Sequence, residues 1–317
     1  QRLKVKTMGK IVVDISKYNV IAIGKLKGLV DGVIIRCGYR GYTSGEIVPD
    51  PMYSKHAAEC VKYGIPFGVY FMSQAINEAE GAEEAKYSVQ AALVAGATLP
   101  IFIDSEDGDG TPRKVRADGL SKKERTAVVK AFCDYIAAQG KAGGVYASDS
   151  WFKNNLNYPE LVQYLIWVAK YGRNNGQLNV DQKPFYVKKY DMWQYTSVGK
   201  IAGVTDRIDM NECYFPIPQS DPEQDPAQKP TFEVGKNYTL QGNMYVRDSA
   251  NGKKKKYLQL TTNAKSHAVK QTDGSAVLKK GTVVTVKDVV EQDGMTWVKI
   301  PSGWVCAVGK TGQVYVR

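Results

Sequence analysis

The stretch LPIFIDSE, residues 99–106, runs an apolar segment straight into two carboxylates. Ile101, Phe102 and Ile103 are apolar without alternation, as a strand covered on both faces requires. Asp104 and Glu106 stand two residues apart, so on an extended backbone they point to the same side. A carboxylate placed directly after a buried strand costs free energy unless it is paired or put to use. Working outward, KIVVDIS (10–16) carries Asp14 near its end, and GVIIRCG (32–38) and PFGVYFM (66–72) are equally apolar. Further strands are read at GGVYAS (143–148), YLIWVAKY (164–171), YDMWQY (190–195) and DRIDMN (206–211), the last holding Asp209. Residues 51–63, 77–95 and 121–139 read as helices between the earlier strands. Strands alternating with helices predict an α/β fold, and eight strand candidates predict a barrel. The later strands are separated by short segments, so its last part is expected to be less regular.

The pattern changes twice after that. PIPQSDPEQDPAQKPT, residues 216–231, holds five of the thirteen prolines and few apolar residues, a composition that stays extended and reads as a linker. Residues 232–317 alternate apolar and polar positions in short runs such as GTVVTVKDVV and MTWVKIP, between Gly, Asp and Asn turns. They predict a small all-β barrel or sandwich. The expected organisation is therefore a catalytic barrel over 9–215, a linker over 216–231 and a small β domain over 232–317. Residues 1–7, ahead of Met8, read as a leftover extension.

Composition excludes several functions. Of 317 residues only two are histidines, His56 and His267, so a zinc hydrolase with clustered imidazole ligands is not expected. The five cysteines are odd in number and form no Cys-x-x-Cys pair, which predicts buried free thiols rather than a disulfide scaffold. No apolar run is long enough to span a membrane. The basic start, residues 1–10, lacks the apolar centre of a secretory signal. The protein is thus expected to be made in the cytoplasm of a bacterial host and to act after release, or to have lost a signal already. The net charge is +11. Residues 232–317 carry 14 lysines and arginines against six acids, so the small domain is the basic part for its size. A basic module suits an anionic polymer. The lysine run 253–256 reads equally as a contact loop or as a solvated turn.

Catalytic groups of such barrels sit at the C-terminal ends of the strands. Asp14, Asp104, Glu106 and Asp209 all fall there. Clustered carboxylates suit glycosidic cleavage: one carboxylic acid protonates the leaving oxygen, and negative charge or a nucleophile supports the oxocarbenium ion. Like-charged neighbours keep one member protonated near neutral pH. Glu106, with the longer reach, is the expected acid. A calcium loop in DSEDGDGTPRKVR is rejected, because Arg116 stands where the bidentate Glu belongs; no metal and no cofactor are expected. Tyr39, Tyr70, Tyr146 and Trp193 lie on or just after strands and are expected to meet sugar, whose apolar faces and hydroxyls suit Tyr and Trp. Trp167 reads equally as core.

VVDISKYN, GVIIRCGYRG, GIPFGVYFMSQA, LPIFIDSEDGDG, GGVYASDSWF, YLIWVAKYG, DMWQYTSVGKIAGV and DRIDMN, in this order over about residues 10–215, resemble glycoside hydrolase family 25, the muramidases of phage endolysins and bacterial autolysins. The resemblance implies a barrel of five helix-linked strands and three further strands. It also implies cleavage of the β-1,4 bond from N-acetylmuramic acid to N-acetylglucosamine. Asp14, Asp104, Glu106 and Asp209 fall on its acidic positions, with Glu106 at the general acid. Two departures bear on the sugar subsites. Tyr70-Phe71-Met72 stands where many members have Tyr-His-Phe, and Arg36-Cys37-Gly38-Tyr39 where many carry an acid; Arg36 and Tyr39 are counted among the substrate contacts. MYVRDSANG, MTWVKI and GWVCAVG resemble bacterial SH3-type domains, which implies a wall anchor. The expected partners are bacterial peptidoglycan and anionic wall polymers, with no nucleic acid. The alternatives are a chitinase-like hydrolase of another N-acetylhexosamine polymer and a binding protein with an inactive barrel, against which the complete acid set speaks.

Overall fold

Burial on both faces is what the apolar strands meet. The chain, in a computed structural model describing residues 9–108, 116–204, 207–218, 230–310 and 314–317, divides into two compact units, Gln1–Gln224 and Asp225–Arg317. The first unit runs β1 (Lys10–Ile15), β2 (Gly32–Arg40), β3 (Ile47–Pro49), α1 (Tyr53–Tyr63), β4 (Phe67–Met72), α2 (Glu78–Ala95), β5 (Ile101–Asp104), α3 (Lys122–Ala138), β6 (Gly143–Ser148), α4 (Asp149–Asn154), α5 (Tyr158–Leu161), β7 (Leu165–Ala169), β8 (Met192–Gly199) and β9 (Ile208–Cys213). The sheet order is β1-β9-β8-β7-β6-β5-β4-β2-β3, and β1 also pairs with β2, so eight strands close an irregular barrel with β3 outside it. Neighbours from β1 through β8 around the β2 side are parallel; β9 alone among the barrel strands runs antiparallel, to both β8 and β1.

Local signals place the helices. Asn77 caps α2 by accepting from the Glu80 N–H at 3.0 Å, and Ser121 with Glu124 forms a reciprocal capping box on α3. Gly64 and Gly96 end α1 and α2 at φ 67° and 80°, a conformation that suits glycine. The crossover from β1 to β2 holds one 3-10 turn, Ile23–Leu26, in place of an α-helix.

The outward side chains Val13, Ile35, Val69, Ile103, Val145 and Val168 pack in the layer under the helices. The inward ones split by height. Val12, Ile34, Phe102, Trp167, Met192 and Cys213 fill the lower half as an apolar floor. Gly144 makes room for it, since a Cβ there would lie 2.6 Å from the Phe102 ring. Phe215 and Ile217 belong to the same floor, at 8% and 5% exposure. Part of the expected linker, from residue 216, therefore closes the barrel base, because Ile217 has apolar surface to bury. Residues 219–229 of that stretch lie outside the described residues. The four buried cysteines Cys37, Cys60, Cys133 and Cys213 and the half-buried Cys306 are free thiols.

The second unit consists of small antiparallel sheets. Asn237–Thr239 pairs with Val283–Thr285; Ala276–Leu278 pairs with both Met244–Tyr245 and Ala268–Lys270; Asp288–Gln292, Met295–Ile300 and Gly303–Val308 form a meander. It has its own core, including Leu240, Val246, Leu278, Val286, Val298 and Val305.

Between β7 and β8 the chain makes only a 3-10 turn, Val180–Gln182. One carboxylate holds its far end: Asp149, at 6% exposure, accepts from the backbone N–H groups of Phe185 (3.0 Å), Tyr186 (3.0 Å) and Val187 (2.9 Å). Asp149→Ala leaves those donors without an acceptor. We expect a loss of roughly 3 kcal/mol, a fall in Tm of roughly 6–12 °C, measured by thermal denaturation. A loss under about 1 kcal/mol would mean that other contacts hold the segment.

Candidate active site

Above the floor the inward side chains turn polar. Strand parity brings Asp14 from β1, Arg36 from β2, Tyr70 from β4, Asp104 from β5, Tyr146 from β6, Gln194 from β8 and Asp209 from β9 to one mouth. Register fixes the neighbours: Asp14 is opposite Asp209 across the antiparallel pair, Asp104 is level with Tyr146, and Arg36 is level with Tyr70. Glu106 follows β5 by two residues and is half-buried.

Asp14 is 5% exposed, and two amides hold it. Gln194 Nε2 donates to its Oδ2 at 2.9 Å, and Asn211 Nδ2 donates to the same oxygen at 2.8 Å. Each amide is fixed in turn. Gln194 Oε1 accepts from the hydroxyls of Tyr146 (2.8 Å) and Tyr171 (2.9 Å). Asn211 Oδ1 accepts from the Trp167 indole N–H at 2.7 Å, while its Nδ2 also reaches the Val12 carbonyl at 3.1 Å. With their oxygens occupied, both amides can present only N–H groups to Asp14.

The carboxylates differ in proton affinity for reasons visible in this arrangement. Burial pushes Asp14 up to about 6, against the opposing pull of the Asn211 and Gln194 hydrogen bonds. Asp209 is pushed up to about 8 by burial, then by the charges of Asp14 and Glu106, and it shares a hydrogen bond with Asp14. Between these values Asp209 carries the proton and Asp14 the charge, so Asp209 donates. Burial and then the charges of Asp14 and Asp107 lift Glu106 to about 7, with Arg36 opposing. Asp104 is raised well above the usual carboxylate range by burial and then by Glu106, and its Oδ1 is buried with no hydrogen-bond partner. Near neutral pH the mouth therefore offers a carboxylic acid at Glu106 and a fixed negative charge at Asp14, the two components that acid-assisted cleavage of an acetal needs.

The aromatic expectations divide. Tyr70 and Tyr39 are half-buried at the mouth, and Tyr146 is 8% exposed with its hydroxyl spent on Gln194. Trp167 is floor, 1% exposed, with the Tyr146 and Tyr70 rings edge-on to it at 4.5 and 6.1 Å. Trp193, expected to meet sugar, does not line the mouth. It faces outward, 1% exposed, and its indole N–H donates to the Lys170 carbonyl at 2.9 Å. Alternation along β8 decides this, since Gln194 takes the inward face and its neighbour the outward one. Sequence reading missed Gln194, Asn211 and Tyr171. The signal was present in the strand parity of YDMWQY and in Asn211 standing two residues after Asp209. Asp107 is exposed, and Asp109 and Gly110 of the acidic loop lie outside the described residues. Among the described residues no group of three or more His, Cys, Asp or Glu is placed to hold a metal ion, and no helix is long and apolar enough to cross a membrane.

The profile of glycosyl hydrolases family 25 matches residues 13–204. Comparison with curated proteins gives no match. Among solved structures, the catalytic domain of endolysin ply40 from bacteriophage P40 of Listeria monocytogenes is similar at 30% identity and a TM-score of 0.53, over 65% of this chain and 94% of that one. The modular autolysin LytC of Streptococcus pneumoniae, solved with a synthetic peptidoglycan ligand, is 25% identical with a TM-score of 0.53, over 64% of this chain and 46% of that one. The spore cortex lytic enzyme SleM of Clostridium perfringens shares the fold at 15% identity and a TM-score of 0.53, over 97% of both chains. An eight-stranded irregular barrel with this carboxylate mouth, matched over the whole mouth except β9, agrees with one assignment: the chain belongs to glycosyl hydrolases family 25 and is a glycoside hydrolase of the lysozyme type.

Proposed function

We propose that the barrel cleaves the β-1,4 bond between N-acetylmuramic acid and N-acetylglucosamine in bacterial peptidoglycan, with Glu106 as general acid. The observation that carries this reading is the pairing of a carboxyl held near 7, Glu106, with an ionised carboxylate locked by two amides, Asp14. Glu106 gives its proton to the glycosidic oxygen as that bond breaks. Positive charge then grows on the sugar ring, where Asp14 lies ready to stabilise it without reorganising, and a water supplies the new hydroxyl at the anomeric carbon and the proton that restores Glu106. Asp209 holds the shared proton and keeps the pair at a single negative charge. Burial and the charge of Asp14 keep Glu106 from ionising early, and Glu106 in turn helps to keep Asp104 protonated. Gln194 and Asn211 act through Asp14 and are positioning residues. Tyr70 and Tyr39 offer ring faces to the sugar, and Arg36 stands beside them.

For the second unit we favour an SH3-type wall-binding module. Its small antiparallel sheets, its own core and its excess of lysine support that reading. The likeness to the phage P40 endolysin domain supports an origin as a phage or prophage endolysin that reaches the wall after release from the cytoplasm.

Three measurements test these readings. Mass spectrometry of digested peptidoglycan should find the new reducing end on muramic acid; a reducing N-acetylglucosamine would mean that the other β-1,4 bond of the strand is cut and would overturn the muramidase reading, and cleavage of chitin but not of peptidoglycan would favour a hydrolase of other N-acetylhexosamine polymers. Glu106→Gln should keep the wild-type Tm and lose about a hundred- to ten-thousandfold in kcat, because an amide cannot donate the proton. The pH profile of kcat/KM should be a narrow bell. Its acid limb near 6 comes from protonating Asp14, and its alkaline limb near 7 comes from deprotonating Glu106. Gln194→Leu removes a donor that favours ionised Asp14, so the acid limb should move to higher pH; an unmoved limb would assign it to another group. For the tail, a fragment covering residues 225–317 should sediment with isolated walls and be released by salt, since exposed charges are screened beyond about 8 Å at physiological ionic strength. Salt-insensitive binding would point to recognition of a neutral peptide or sugar.

A further inference from the structure

Arg36 enters the barrel mouth from β2 with an incomplete set of partners. It is 6% exposed, and its Nε donates to Asp50 Oδ2 at 2.8 Å. Asp50, 3% exposed, is itself fixed by the backbone N–H groups of Lys17 (3.0 Å) and Met52 (2.9 Å). The guanidinium carbon lies 5.3 Å from the centre of the Tyr18 ring and 5.8 Å from that of Tyr39. Lys17 Nζ lies over the same two rings, at 5.1 and 5.4 Å. Clamped in this way, the guanidinium cannot swing to solvent, yet its Nη2 is buried with no hydrogen-bond partner. Buried donors are nearly always satisfied, and a charged donor is the most costly to leave open. The Asp104 and Glu106 carboxyls are close enough to feel its charge, but neither accepts a hydrogen bond from it.

The group that completes such a donor is an oxyanion, and a guanidinium fork takes a carboxylate better than any other side chain does. Resting on the glycan reading above, the chemistry of the substrate supplies one. Its two sugars differ by the lactyl ether of muramic acid, which ends in a carboxyl. That carboxyl is free on bare strands and amide-linked on strands carrying stem peptides, which bring carboxylates of their own. We propose that Arg36, supported by Lys17 and flanked by Tyr18 and Tyr39, forms a carboxylate-binding subsite that recognises the muramyl residue of the glycan. Asp50 orients the fork, and the two rings give the adjoining sugar a face to rest on. The subsite makes the mouth selective for an anionic strand over a neutral polymer of N-acetylhexosamine.

The test pairs a substitution in the protein with one in the substrate. Full-length wild type, Arg36→Gln and Lys17→Gln are assayed on glycan strands stripped of stem peptides, with the lactyl carboxyls free or converted to methyl amides. Blocking the carboxyls should lower wild-type kcat/KM by roughly tenfold or more. Arg36→Gln should lose a similar factor on free strands and lose little more on blocked ones, because both changes remove one interaction. The same comparison on strands bearing stem peptides, with their carboxyls free or blocked, separates the sources. Coupling on stripped strands assigns the lactyl carboxylate, and coupling confined to peptide-bearing strands assigns a stem carboxylate. Equal loss by Arg36→Gln on free and blocked strands of both kinds overturns the proposal while leaving the muramidase reading intact. A wild type that cuts none of these strands overturns both. If Arg36→Gln does not fold, Lys17→Gln carries the comparison: a smaller coupling of the same sign supports the subsite, and equal loss removes it.

Discussion

A carboxylate 5% exposed inside a barrel keeps its charge only if something replaces the water it has lost, and at Asp14 two amide N–H groups do so. The organisation of the mouth follows from that requirement. Gln194 and Asn211 can serve as donors because Tyr146, Tyr171 and Trp167 occupy their oxygens. Tyr146 and Trp167 belong at the same time to the apolar floor. The packing that fills the barrel therefore also orients the amides, and a change in the floor reaches the charged group through one intervening side chain.

The same floor sets the proton affinities. It excludes water from below, so burial is the first cause of the upward shift at Asp14, Asp104, Glu106 and Asp209 alike. What separates the four is what each finds nearby. Asp14 has two amide donors, Asp209 has only the charged Asp14 to share a proton with, and Asp104 has an oxygen with no partner. The antiparallel course of β9 makes the Asp14–Asp209 pair possible. A parallel last strand would need a long crossover to return its end to the same rim, whereas β9 enters directly from β8 at the mouth and descends beside β1.

Next to Asp14, on β2 and just after β1, the mouth also carries positive charge. Arg36 and Lys17 lie over two tyrosine rings, and Asp50, itself locked by backbone N–H groups, restrains the guanidinium. Cationic and acidic groups thus alternate around the rim, since in strand order Arg36 on β2 lies between Asp14 on β1 and Asp104 on β5.

The strands, the three main helices and the acid set were legible in the residues because each rests on a local signal. Uninterrupted apolar runs such as IFI declare a strand covered on both faces, and Asp14 and Asp104 at C-terminal strand ends declare a mouth; Asp209, expected at such an end too, instead starts β9, whose antiparallel course brings that end to the same rim. Trp193 went astray because an aromatic on a doubly buried strand is compatible with either face, and only the pairing of β8 with its neighbours decides which side is inward. Ile217 went astray because proline-rich composition describes a stretch on average and hides one apolar residue that finds a floor to cover. The sequence by itself determined which groups could do acid chemistry, since residue type and strand position are local properties. Only the tertiary structure decided which of them holds the proton and which the charge, because proton affinity depends on burial, on the two amides that reach Asp14 from β8 and β9, and, at Glu106, on the charge of Arg36, all brought together by residues far apart in the chain.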